Sequence, residues 1–206
     1  MSAFLCCVGQ RLHVLARLGA VFMLIALGAC ALPQAREGER RVFALSVDIA
    51  ANEGPNVERQ LLIDAPSAAG LLDSERIVVR AGADELGLLR GARWSAPLPQ
   101  LWQGLVIRAI EDDGRLRVGR ERDVLAGDER LIGELRVFEY LRETQEVRVH
   151  FHAKRVDRQQ RIVAERGFEA SAEVRGSDAA DVVAAFNSAS AEALSQLIEW
   201  LATEQP

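Results

Sequence analysis

The chain of 206 residues carries 25 Lys and Arg against 30 Asp and Glu, a net charge of -5, and is 49% hydrophobic. That acidic balance is the opposite of a nucleic-acid binder's, and the three cysteines, Cys6, Cys7 and Cys30, all stand near the start. The rest of the chain therefore has neither a disulfide framework nor a cysteine-based zinc site, and its length suits one hydrophobic core in a single domain.

Residues 1–29 have the layout of a signal peptide. Arg11 and Arg17 form a basic leading region without acids, an apolar run follows from Leu18 to Ala26, and Leu27-Gly28-Ala29 leads into Cys30. Leucine, two small residues and cysteine resemble the lipobox of bacterial lipoproteins. The resemblance implies that the Cys30 thiol takes a diacylglycerol, that the peptide is cut before it, and that the new amino group receives an N-acyl chain. One acyl chain holds a protein only marginally, whereas two or three, at ~0.8 kcal/mol per buried methylene, make attachment effectively permanent. The competing readings are an uncleaved transmembrane helix and a secretory signal with an incidental cysteine. Leu18 to Leu32 is shorter than the roughly 17 residues that a span needs and ends at Pro33-Gln34. Ala31 to Arg41 lacks apolar periodicity and reads as a mobile tether. The expected division is a removed signal peptide (1–29), a lipidated tether (30–41) and a folded domain (42–206). Ala31 is not the aspartate that retains lipoproteins at the inner membrane, which favours the periplasmic face of the outer membrane.

Within the domain, Phe43, Leu45, Val47 and Ile49 alternate with Ala44, Ser46 and Asp48, the period of a half-buried strand. Asn52-Glu53-Gly54-Pro55-Asn56 is a turn. Short branched runs at Gln60–Ile63 and Arg76–Arg80 predict strands, and Leu86 to Trp94 a further one. Leu98, Leu101, Trp102, Leu105, Val106, Ala109 and Ile110 then recur at three and four, predicting an amphipathic helix with Pro97 in its first turn and Gly114 as its stop. Leu131–Leu141 and Gln145–Val156 are neighbouring strands around Arg142-Glu143-Thr144. The second places Val147, Val149, Phe151 and Ala153 on one face and Arg148, His150, His152 and Lys154 on the other. Ile162–Ala172 is the next strand. Ser177 or Asp178 caps a long second helix marked by Val182, Phe186, Ala189, Ala193, Leu197 and Leu201. The pattern predicts an α+β domain, an antiparallel or mixed sheet with two amphipathic helices packed on one face.

No catalytic constellation is visible. There is no Gly-x-Ser-x-Gly elbow and no phosphate loop, and Glu111-Asp112-Asp113 reads as solvated surface at a helix end. His150 and His152 share a strand face, but flanking Arg148 and Lys154 oppose a divalent cation, so no metal site is expected. Trp94 to Trp102 is different: two indoles bracket Pro97, Leu98 and Pro99 at a helix start. Tryptophan is enriched at interfaces. The segment packs the core or forms a contact surface, and the expectation drawn from it is at least one exposed indole facing a partner.

Five stretches resemble one family. They are Phe43-Ala44-Leu45, Ser74-Glu75-Arg76-Ile77-Val78-Val79-Arg80, Ala92-Arg93-Trp94-Ser95-Ala96-Pro97-Leu98-Pro99, Ile132-Gly133-Glu134-Leu135 and Ala184-Ala185-Phe186-Asn187. With the lipobox, their order and spacing resemble the ABC-type transport auxiliary lipoproteins, the PqiC-like group that accompanies lipid-transport systems with MCE domains. The resemblance implies a non-catalytic outer-membrane lipoprotein beside an MCE-domain protein, an ABC permease and an ATPase. It needs no cofactor beyond the acyl chains on Cys30 and leaves a homo-oligomer open. A rival reading is a periplasmic lipoprotein that itself binds a lipid or another hydrophobic ligand. The transported substrate is not legible in the sequence.

Overall fold

Alternating inward and outward side chains on three consecutive long segments build the middle of the protein. The computed structural model describes residues 40–52, 54, 59–120, 123 and 127–203. Cys30, the signal peptide and the tether as far as residue 39 lie outside them, as does most of the turn expected at 52–56. The strands are β1 (Arg41–Phe43), β2 (Gln60–Ile63), β3 (Ser67–Ala68), β4 (Val78–Arg80), β5 (Leu86–Leu88), β6 (Ala92–Trp94), β7 (Arg117–Arg120), β8 (Glu129–Leu141), β9 (Glu146–Asp157) and β10 (Ile162–Glu173). The helices are α1 (Leu98–Asp113) and α2 (Ala179–Thr203).

Strand β8 is the spine of a mixed sheet in the order β10-β9-β8-β2-β7. Along one edge it runs antiparallel to β9. Along the other it takes three short parallel partners in turn: β2 opposite Glu129 to Leu131, β3 opposite Glu134 and Leu135, and β4 opposite Glu139 to Leu141. A register shift between Leu135 and Val137 separates the last two. The residues Val147, Val149, Phe151 and Ala153 are all buried, and both helices lie on the face that they form: Trp102 of α1 meets Phe138 and Phe151, while Phe186 and Trp200 of α2 meet Phe138 and Phe168. This is the α+β arrangement that the periodicities predict.

Local rules set the helix ends. Helix α1 follows Pro97, carries Pro99 in its first turn and stops at Gly114, whose φ of 82° suits glycine and whose N–H donates to the Ile110 carbonyl at 3.1 Å. At the start of α2 the expected side-chain cap from Ser177 or Asp178 gives way to a reversed one. The Asp181 carboxylate accepts from the Asp178 N–H at 2.9 Å, the backward half of a capping box.

Three expectations need correction. The strand predicted over residues 43–49 pairs only through Phe43, in register with Trp94 of β6. Beyond it the alternation persists as burial of Leu45 and partial burial of Val47 and Ile49, but the neighbour is now a helix, whose backbone bonds are used internally. Asn187 of α2 takes over, accepting from the Ser46 N–H at 3.2 Å and donating to the Ser46 hydroxyl at 3.1 Å. The single strand expected over 86–94 is broken by Gly91 at φ 68°, so β5 joins β4 while β6 joins β1. Asp113, expected at the surface, is buried and holds Arg115 Nε at 2.8 Å; Arg115 also donates to Glu199 of α2.

Gly133 faces inward on β8 opposite Ala153. A methyl group at that position would overlap the Phe151 ring and crowd the His152 carbonyl. We expect Gly133→Ala to destabilise the fold by about 1–3 kcal/mol, read as a lower midpoint in chemical denaturation with an unchanged slope.

Candidate functional site

The segment from Trp94 to Trp102 is tied to the protein at each step. Trp94 N–H donates to the Glu75 carbonyl at 2.8 Å, Ser95 N–H to the Phe43 carbonyl at 2.7 Å, and Leu98 N–H to the Ser74 carbonyl at 3.0 Å. These bonds aim both indoles inward. Trp94 and Trp102 are each 0% exposed and Leu98 and Pro99 are buried, while Pro97 is half-buried and Ser95 and Gln100 are exposed. The expected exposed indole is therefore not found, since both indoles of the segment pack into the core.

The physical reason is the gap between sheet and helices. Phe138 of β8, just past the register shift, has Trp94 at 6.0 Å and Trp102 at 6.0 Å, both edge-on, with Phe186 of α2 stacked at 4.6 Å. Trp94 also meets Phe186 at 5.3 Å, and Trp102 meets Phe151 at 5.4 Å. Five rings from β6, α1, β8, β9 and α2 thus meet between the sheet and the helices. Neither indole N–H has a hydrogen-bond acceptor, so the rings are held by shape and edge-to-face contact.

His150 and His152 lie on the opposite, outward face of β9, partly exposed. The flanking basic residues are as the sequence placed them, but the neighbouring strands add acids that strand periodicity alone could not locate. Glu169 of β10 lies 3.3 Å from His150 Nδ1, Glu165 lies 3.6 Å from Lys154, and Glu134 of β8 stands opposite His152 in register. Burial, then the nearby Arg136, holds the His152 imidazole below its ordinary pKa. Among the described residues no three His, Cys, Asp or Glu side chains are grouped to hold a metal ion.

A buried ionic cluster escaped the sequence reading. Arg155, 1% exposed, continues the inward row of Val147, Val149, Phe151 and Ala153, and donates from Nε and Nη2 to the two oxygens of buried Glu129 at 2.7 and 2.8 Å. Its guanidinium lies 5.8 Å over the Trp200 ring. Arg59, also buried, places Nη1 3.9 Å from Glu129 and donates from Nη2 to the Leu201 carbonyl near the end of α2. Burial, then the Arg155 charge, pulls its pKa down. The signal was the parity of Arg155 itself, an odd position in an odd-numbered inward row.

Two depressions among the described residues open to the surface. One of about 430 Å³ lies between β10 and α2 and is lined by Glu173, Arg175 and Asp181 among small side chains. Another of about 340 Å³ sits beside the β8 register shift, with Leu71, Leu72, Val78 and Leu86 rimmed by Glu134, Arg136 and Glu139. No described helix is long and apolar enough to cross a membrane.

Residues 43–198 match the family model for the ABC-type transport auxiliary lipoprotein component. Among solved structures, protein XCC0632 from Xanthomonas campestris is similar at 33% identity and a TM-score of 0.72, covering 78% of this chain and 94% of that one. An uncharacterized protein shares the fold at 13% identity and a TM-score of 0.66, covering 80% and 99%. The PelC dodecamer of Paraburkholderia phytofirmans is more distant, with 11% identity and a TM-score of 0.43 over 74% and 93% of the two chains. No curated protein matches.

Two stability predictions follow from this interior. Trp94→Ala and Trp102→Ala should each cost about 3–5 kcal/mol, whereas Trp102→Phe should cost clearly less, because the indole N–H it removes has no partner to lose; denaturant melts compare the three. Glu129→Gln removes the carboxylate between two buried guanidiniums and should cost about 3–5 kcal/mol, visible in the same assay.

Proposed function

The chain belongs to the ABC-type transport auxiliary lipoprotein component family, and on that premise we propose a membrane-anchored adaptor that serves an ABC-type lipid transport system without catalysis of its own. In this reading Cys30 carries a diacylglycerol and an N-acyl chain and fixes the domain at the periplasmic face of the outer membrane. The domain then docks an MCE-domain protein that works with an ABC permease and ATPase.

The family match over residues 43–198 carries the proposal, joined to the lipobox-like Leu27-Gly28-Ala29-Cys30. The interior favours an adaptor over a lipid container. The space between sheet and helices is occupied by five aromatic rings, and the depressions described are open and lined in part by charged side chains. Ligand pockets for apolar molecules are instead concave and mostly apolar, burying most of the ligand's surface.

Anchoring is tested by growing cells with an alkyne fatty acid and probing the purified chain. Wild type should carry label and sediment with membranes, and Cys30→Ala should carry none and be released. A labelled, membrane-bound Cys30→Ala variant would contradict the anchor. Association is tested by mild-detergent purification of the acylated chain, which should bring an MCE protein with its permease and ATPase; a chain that returns with stoichiometric lipid and no protein would favour the container.

A further inference from the structure

Where the chain enters the described domain, it forms a basic corner with an exposed apolar tip. Strand β1 lies parallel to β6, Arg41 in register with Ala92 and Val42 with Arg93. Arg41 N–H donates to the Gly91 carbonyl at 2.8 Å, which ties β1 to the turn at Arg90 and Gly91. Arg40, Arg41, Arg90 and Gly91 are exposed, and Val42 is 51% exposed. The Arg41 guanidinium is held 5.0 Å over the Phe43 ring. In a chain of net charge -5, the stretches 40–47 and 86–110 contain no acid. Glu75 comes to this corner from outside those stretches, and it is engaged by Arg93.

We propose that this corner is a second membrane contact, in which Arg41 and Arg90 bind anionic phospholipid headgroups while Val42 dips into the boundary between headgroups and acyl chains. The assignment rests on the Cys30 anchor. Nine residues separate Cys30 from Arg40, a reach of at most about 35 Å when fully extended, so this corner is the part of the described domain nearest the anchor along the chain. Tethering makes the contact intramolecular and raises the local lipid concentration, so a small patch suffices. Each arginine near an anionic surface strengthens binding about fivefold, and an exposed apolar side chain adds area at the interface. Docking there would fix which face of the domain is presented to a partner.

The test uses the full chain purified from membranes, with a bimane fluorophore on Val42→Cys or, as reference, on Val163→Cys, a second exposed valine. The protein is reconstituted in vesicles that carry a headgroup nitroxide quencher, made of phosphatidylcholine with or without phosphatidylglycerol. We expect quenching at residue 42 to exceed that at 163 when phosphatidylglycerol is present, and to fall at least about fivefold without it or in the Arg41→Gln, Arg90→Gln double variant. Equal quenching at the two positions overturns the assignment. So does quenching at residue 42 that ignores both lipid charge and the two arginines, which would point to crowding or to a protein surface instead. Mass spectrometry of the same sample separates this from the anchor. If Cys30 is unacylated the anchor fails by itself, and the corner is then judged by whether the purified chain prefers phosphatidylglycerol over phosphatidylcholine vesicles in an arginine-dependent way.

Discussion

The contact of Phe138 with Trp94, Trp102 and Phe186 is the interaction on which the rest of the structure depends. Each ring comes from a different element, and Phe138 and Phe186 lie far in sequence from the two tryptophans. Both helices have other contacts with the sheet, Trp102 with Phe151 and Trp200 with Phe168, but only in this cluster do rings of α1 and α2 meet the same strand residue. Aromatic side chains suit the role because they cover much area from few backbone positions, and edge-to-face pairs contribute about 0.5–1.5 kcal/mol beyond burial. The orphaned indole N–H groups are the cost of that choice, since an unpaired buried donor forgoes the hydrogen bond it had in water.

The five stretches that carry the family resemblance converge on the same place. Phe43 accepts the Ser95 N–H, Ser74 and Glu75 accept from Leu98 and Trp94, Gly133 leaves room for the Phe151 ring, and Phe186 and Asn187 hold Phe138 and Ser46 respectively. What looks like a scattered motif along the chain is one packing unit in space. The segment with two tryptophans and two prolines is therefore a poor guide to the docking surface, and the family signature describes how the domain is built more than what it touches.

The elements with clean periods were legible. Strands β8, β9 and β10 and both helices follow from alternation and from the three-four stripe, because each buries one face against a single large surface. Where the period was right but the neighbour changed, the reading went astray: residues 44–49 alternate like a strand while lying beside a helix. The short parallel strand β7 carries no alternation long enough to read, and the pairing of β2, β3 and β4 along one edge of β8 is set by tertiary contact. At the candidate site, the exposed-indole expectation failed because composition gives the kind of residue and not its direction. Arg155 shows the converse, since its strand parity pointed inward although its charge argued otherwise. Its burial is compensated by two hydrogen bonds to one carboxylate, the geometry that lets arginine enter a core.

Aromatic rings from five elements brace the interior of this member of the ABC-type transport auxiliary lipoprotein component family. Native-state hydrogen exchange tests most directly whether the aromatic cluster unites the domain. The amides of β1, β6, α1, α2 and the centre of β8 should open with one common free energy, equal to that of global unfolding, and Trp102→Ala should lower all of them together. If β1 and β6, or α1 alone, exchange through a separate opening of much lower free energy that Trp102→Ala leaves unchanged, the cluster does not hold the domain together.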